Sequence, residues 1–190
     1  MVLQGASWSG VVPRDARRRP TGPCLLQPAG YMVRYMTYQA IIHGAQGLLY
    51  FGHNTGLHPE MRPHGWDWGY WRHAVAPVLR ELADPALAGA LAVRQDTTAQ
   101  RRASPGRGVP RVDARLLRAP GGAALLVASR SERRAGEPAE AEVALPLDAV
   151  APGVRGATRA GVLLEGRSVG LRGGAIRDRF APHEVHVYRL

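Results

Sequence analysis

Trp66, Trp68 and Tyr70 alternate with Asp67 and Gly69 in one short stretch that Gly65 opens. Flat aromatic faces bury the apolar C–H face of a sugar ring, while nearby imidazole and hydroxyl groups satisfy its rim. That is the usual composition of a concave ligand site with a few polar anchors. The competing reading is that such rings pack a loop onto a core, because each buries a large area. His53 and Asn54 follow directly on the apolar run LLYFG (48–52) and are placed to hydrogen-bond a ligand's hydroxyl groups; ordinary loop polarity is the alternative. Trp71 falls on a helical stripe and reads as core.

Glu60 and Asp67 are the carboxylates of the same loop, seven positions apart. That spacing favours a solvated role, or pairing with Arg62 or Arg72, over acid–base work. His53, His58, His64 and His73 with Glu60 and Asp67 match no metal-ligand spacing, so neither a metal nor a cofactor is expected. His43 reads as a hydrogen-bonded core histidine, and Cys24, beside Leu25 and Leu26, as a buried thiol. One cysteine excludes both an internal disulfide framework and a cysteine-rich zinc site. Gly121–Gly122 and Gly173–Gly174 lack the strand-to-helix setting of a phosphate loop and read as turns.

The elements that must hold these residues follow two grammars. Residues 2–8 (VLQGASW) read as a short buried strand. After a polar loop, Pro28 suits the first turn of a helix, and Tyr31, Tyr35, Tyr38 and Ile42 recur at helical spacing with Met32, Met36 and His43 alongside. That predicts a helix of about 17 residues stopped at Gly47. Residues 48–52 are a strand, and a long loop leads to a second helix on which Trp71, Val75, Val78, Leu79 and Leu82 share a face. Pro77 kinks that helix or marks its true first turn. Strand, helix, strand, helix is βα grammar and implies a parallel sheet.

Beyond Leu91 the grammar changes. Residues 100–111 read as a linker or a long hairpin tip. Seven short strands then alternate with Pro/Gly turns, at 112–119, 123–130, 141–147, 160–166, 167–172, 175–180 and 184–190. Gly173–Gly174 marks a tight hairpin, and the whole predicts a small antiparallel β-sandwich.

The chain has 190 residues, 45 % of them hydrophobic, with 23 Gly and 15 Pro, the mix of a turn-rich globular protein. No apolar run reaches the roughly 20 residues of a membrane span, and no secretory signal opens the sequence as given, so a complete chain would be cytoplasmic. The formal charge is 25 − 15 = +10. Every basic residue is Arg and the arginines are dispersed, so the excess reads as compositional bias and nucleic acid is not the expected partner.

Two parallel strands and two helices cannot close a sheet, whereas a (β/α)₈ barrel needs about 250 residues and eight strands. Residues 1–92 therefore read as the closing part of such a barrel. Missing strands or self-association would have to supply the rest.

The segment RYMTYQAIIHGAQGLLYFG (34–52) resembles the final helix-to-strand passage of barrel glycoside hydrolases. VLQGASW and RRRPT (17–21) are similar to the seventh strand and its loop, WRHAVAPVLRELADPALAGAL (71–91) to the eighth helix, and FAPHEVHVYRL (180–190) to the last strand of the small β-sandwich that follows. The resemblance implies α/β followed by all-β. Residues 1–92 would be the last two βα units of a TIM barrel, and residues 93–190 an antiparallel β-sandwich domain. It further implies a fragment of a glycoside hydrolase-like protein whose ancestral reaction is hydrolysis of O-glycosidic bonds. Gln4, Trp8, His53, Asn54, Trp66 and Trp68 would line a carbohydrate site. Retaining members use two carboxyl groups about 5–5.5 Å apart. Residues 2–8 hold neither Asp nor Glu, and an amide such as Gln4 cannot become a glycosyl ester, so no catalytic pair is identifiable and activity of this chain alone is not expected. The alternative is a non-catalytic carbohydrate-binding or structural module.

Overall fold

The computed structural model describes residues 2–4, 28–51, 69–93, 95, 100–103, 110–131, 137–154 and 156–190. Strand β1 (Val2–Gln4) leads through helix α1 (Gly30–Ile42) to strand β2 (Leu49–Phe51). The two strands pair in parallel, Val2 opposite Leu49 and Gln4 opposite Phe51, as the strand–helix–strand order requires. A crossover helix between parallel strands runs back against them. The first turn of α1 thus lies toward the strands' carboxyl edge and its last turn toward their amino edge.

Helix α1 spans 13 residues, shorter than its periodicity predicts. Its stop is Gly44, not Gly47. Gly44 has φ 90° and donates its N–H to the Ile41 carbonyl at 3.0 Å, while the Ala45 N–H reaches the Ala40 carbonyl at 2.9 Å. That paired closure needs a left-handed residue, which glycine adopts without a Cβ penalty. A Cβ there would also stand 2.9 Å from Arg115 Nη1. His43 is the exposed C-cap of the helix and not a core histidine. The aromatic stripe holds only in part, since Tyr38 and Ile42 are fully buried whereas Tyr31 is 62 % exposed. The reason is that α1 is wedged between two layers, so its buried positions fall on two sides.

On one side Val33 packs with Ala74, Val75 and Val78, and with Tyr50 from β2. These come from a π-helical turn, Trp71–Val75, that runs into helix α2 (Ala76–Leu82). Pro77 has no N–H to offer, and the wider turn upstream accommodates the lost bond: the Ala76 N–H reaches back to the Trp71 carbonyl. Pro77 therefore stands in the first turn of an α-helical segment. Trp71 is 38 % exposed, which corrects its expected place in the core, because the π turn rotates it off the buried stripe. Helix α3 (Pro85–Ala92) starts afresh at Asp84, whose Oδ1 accepts from the Ala86 and Leu87 N–H groups at 3.0 and 3.3 Å.

The remaining strands are β3 (Gln100–Ala103), β4 (Val112–Arg118), β5 (Ala124–Arg130), β6 (Ala141–Pro146), β7 (Arg159–Val162), β8 (Arg167–Arg172), β9 (Ala175–Phe180) and β10 (Val185–Arg189). Helix α4 (Leu147–Val150) is a single turn after β6. The strands form one antiparallel sheet in the order β3-β4-β5-β10-β7-β8-β9-β6, curled so that its end strands approach each other. A hydrogen-bonded continuum thus stands where two facing sheets were expected. Residues 100–111 belong to the β3–β4 hairpin and not to a linker, so far as they are described. The Gly173–Gly174 hairpin is as predicted, with φ 58° and 73° joining β8 to β9.

Curling gives the sheet an inside. Val112, Leu116, Leu126, Ala128, Leu145, Ile176, Phe180 and Tyr188 point into it. The alternate residues Leu117, Leu125, Val127, Val185 and Val187 point out and are covered by Tyr38, Ile41 and Ile42 of α1 and Leu87 and Ala90 of α3. Both faces of β5 are therefore buried, and its sequence ALLVASR reads as a near-continuous apolar run. Polar bonds bracket the α1 contact: Arg34 donates to Glu81 at 2.7 Å and to the Val185 carbonyl at 2.8 Å, and Gln39 donates to Ser129 at 3.0 Å.

Candidate functional site

Because β1 and β2 are parallel and in register at Gln4 and Phe51, the chain leaves both strands at one edge. Of the expected site residues, Gln4 is placed by its backbone at that edge. Trp8, His53, Asn54, Trp66 and Trp68 lie outside the described residues, as do Glu60, Asp67 and Cys24. His53 and Asn54 follow Phe51 by two and three positions in sequence.

The helix layer beneath this edge is described. Tyr50 and Thr37 share a hydrogen bond of 2.6 Å that ties β2 to α1. Burial raises the Tyr50 hydroxyl above its ordinary value, and the bond it shares with Thr37 lowers it less than burial raises it. Tyr70, the last of the three clustered aromatics, packs into this layer beside Val33 and Val75 and does not face outward. Burial first, then the neighbouring Tyr50, pushes its phenol up to about 12, and its hydroxyl is buried with no hydrogen-bond partner among the described residues. Leu49, adjacent to Tyr50 in the strand, is 60 % exposed. Tyr50 thus packs toward the helix layer, while Leu49, on the other face of β2, is exposed.

Residue types alone did not single out the densest described cluster of ionisable groups, which joins the inner face of β8, β9 and β10 to the exposed β7–β8 turn. Arg167 donates to both oxygens of Asp178 at 3.0 and 2.9 Å and to Glu165 at 2.7 Å. Tyr188 donates to Asp178 Oδ2 at 2.9 Å. His186, nearly buried, has Nδ1 2.6 Å from Glu165 Oε1 and Nε2 3.1 Å from the Arg179 carbonyl oxygen. Burial opposes charge on Asp178, yet the bonds from Arg167, Tyr188 and the Arg179 N–H outweigh it and hold the carboxyl below its usual range. Burial, and then Asp178, drive the Tyr188 phenol far above its ordinary value. Both carboxylates are committed to Arg167, an arrangement that locks β8, β9 and β10 and leaves neither of the two free for acid–base work. The available signal was a polar residue at an inward position of each strand.

A groove of about 490 Å³ opens between the last turns of α1 and α3 and strand β4, lined by Ile41, Gly44, Leu91, Val93, Arg115 and Leu117. It lies at the C-terminal end of α1, toward the amino edge of β1 and β2 and away from Gln4. Arg115 donates there to the Ile42 carbonyl at 3.3 Å, satisfying an end carbonyl of the helix and opposing its negative pole.

No protein-family model and no curated protein matches the chain. In part it is similar to crystal structures of amylases. Over 86 % of the chain it aligns with the alpha-amylase from Geobacillus thermoleovorans complexed with acarbose, at 12 % identity and a TM-score of 0.47. Over 82 % it aligns with AmyP in complex with maltose, at 12 % identity and a TM-score of 0.45. Over 70 % it aligns with an AmyP variant in complex with maltotriose, at 16 % identity and a TM-score of 0.37. The chain spans 34 %, 34 % and 22 % of those proteins, respectively.

Proposed function

We propose that this chain is the closing part of a glycoside hydrolase-like (β/α)₈ barrel, residues 1–92, followed by an antiparallel β domain, residues 93–190. The whole barrel would hydrolyse O-glycosidic bonds, and this chain would line the sugar site at the carboxyl edge of β1 and β2 without supplying the reacting carboxylates. The observation that carries this reading is the in-register parallel pair β1–β2 with α1 crossing between its strands and α2 packed on α1. In a barrel, sites are built at the edge where such strands end. Gln4 stands at that edge, and Trp8, His53, Asn54, Trp66 and Trp68 belong to the segments that follow. The absence of Asp and Glu from residues 2–8 favours a second reading within the same ligand class, a non-catalytic binding module.

The test is titration of the purified chain with maltoheptaose, followed by Trp fluorescence, beside an assay on an aryl α-glucoside. Binding with a fluorescence change and no hydrolysis is expected, and Trp66→Ala with Trp68→Ala should weaken binding at least tenfold, the scale of one lost aromatic stacking contact or more. Unchanged affinity in that double variant removes the stacking role of the two rings. Turnover by the isolated chain overturns the non-catalytic assignment.

A further inference from the structure

Beyond the strand-end site, one aromatic group is both exposed and conformationally strained. Tyr31 and Tyr35, one turn apart at the start of α1, meet His183 from the turn between β9 and β10. The His183 ring centroid is 4.8 Å from that of Tyr35, edge to face, and 6.3 Å from that of Tyr31, tilted by 33°. Tyr31 is 62 % exposed. The turn is closed by the Glu184 N–H donating to the Ala181 carbonyl at 3.1 Å and by Glu184 Oε2 accepting from the Ala181 N–H at 2.6 Å. Its third residue, His183, has φ 64°, a conformation that such a turn normally gives to glycine or asparagine. Histidine is one of the side-chain-bearing residues found at such a φ more often than most, and positions of this kind gather at ligand sites.

The placement is as informative as the strain. Since α1 runs back between parallel strands, its first turn lies toward the edge where Gln4 and Phe51 end. We propose that Tyr31, His183 and Tyr35 form an accessory shelf that stacks one further sugar ring of an oligosaccharide reaching beyond the strand-end site. The proposal rests on the carbohydrate reading above. Tyr31 supplies an open ring face for the apolar side of a sugar. Its hydroxyl and the His183 imidazole supply rim hydrogen bonds, and Tyr35 fixes the His183 ring from the side.

Calorimetric titration of the full chain with maltose, maltoheptaose and cellohexaose, alongside Tyr31→Ala and His183→Gly, tests it. Tyr31→Ala should weaken binding of a long oligosaccharide roughly tenfold and leave maltose unaffected. His183→Gly should weaken it similarly while the thermal midpoint holds or rises, because glycine relieves the strained φ. If His183→Gly lowers the midpoint and leaves affinity intact, the ring merely packs the turn and the shelf is overturned. If Tyr31→Ala changes nothing while the Trp66 and Trp68 variants lose binding, the shelf fails and the strand-end reading stands. If the native chain binds none of the three sugars, both fall together.

Discussion

Asp178 concentrates more chemistry than any other described side chain. It takes two bonds from Arg167 and one from Tyr188 on a strand whose other inward neighbours, Ile176 and Phe180, are apolar and buried. Asp178→Asn should cost about 2 kcal/mol. That is the scale of hydrogen bonds to a charged group, taken at its lower end because the Arg167 side chain is 37 % exposed. The pH dependence has a defined sign. The folded carboxyl is held below its ordinary value, so its contribution is fully present above about pH 4 and is lost as pH falls through the folded value. Urea midpoints at pH 7 and pH 3 measure this. Native protein should lose more stability on acidification than Asp178→Asn, and equal losses would remove Asp178 as the source.

At the scale of elements, α1 decides the arrangement because it has partners on both sides. Its periodicity was legible, but one buried side was predicted where packing uses two. Helix α3 shows the complementary case, a boundary that local chemistry alone places. Asp-Pro sets an N-cap followed by a first-turn proline, and the Asp84 carboxylate takes two N–H bonds. Asp84→Ala should destabilise the protein by about 1 kcal/mol, read as a lower urea midpoint, with Asp84→Asn nearly neutral because the amide oxygen still caps. Loss of stability in both variants to the same extent would assign the effect to charge and not to capping. The site lies at this scale too. The order of strand and helix put Gln4 and Phe51 at one edge, whereas the packing of Tyr70 with Val33, Val75 and Tyr50 depended on which layer α2 covers.

For the whole molecule, the exposed face of β2 at Leu49 is the outstanding feature among the described residues. Leu49 is 60 % exposed, and among the described residues β1 and β2 pair only with each other. Unpaired strand edges beside exposed apolar side chains recruit other chains. Sedimentation of the purified chain should therefore show mass rising with concentration, with Leu49→Asp shifting the distribution toward monomer. A monomer at every concentration, with slowly exchanging amides along both strands, would mean that the pair is already covered.

The sequence determined by itself whatever depends on near neighbours: the βα order, the antiparallel half, the Gly173–Gly174 turn, and strands 167–172 and 175–180 to the residue. Side-chain periodicity and turn conformation act over a few residues, so they are written locally. Tertiary structure decided what depends on pairs far apart in the chain. It joined the strands into one curled sheet where two facing sheets were expected, and it seated α1 between two layers. It also brought Glu165, Arg167, Asp178, His186 and Tyr188 into one cluster and placed His183 against Tyr31 and Tyr35. Register between distant strands is chosen by which faces both partners can bury at once, and no short window of sequence contains that choice.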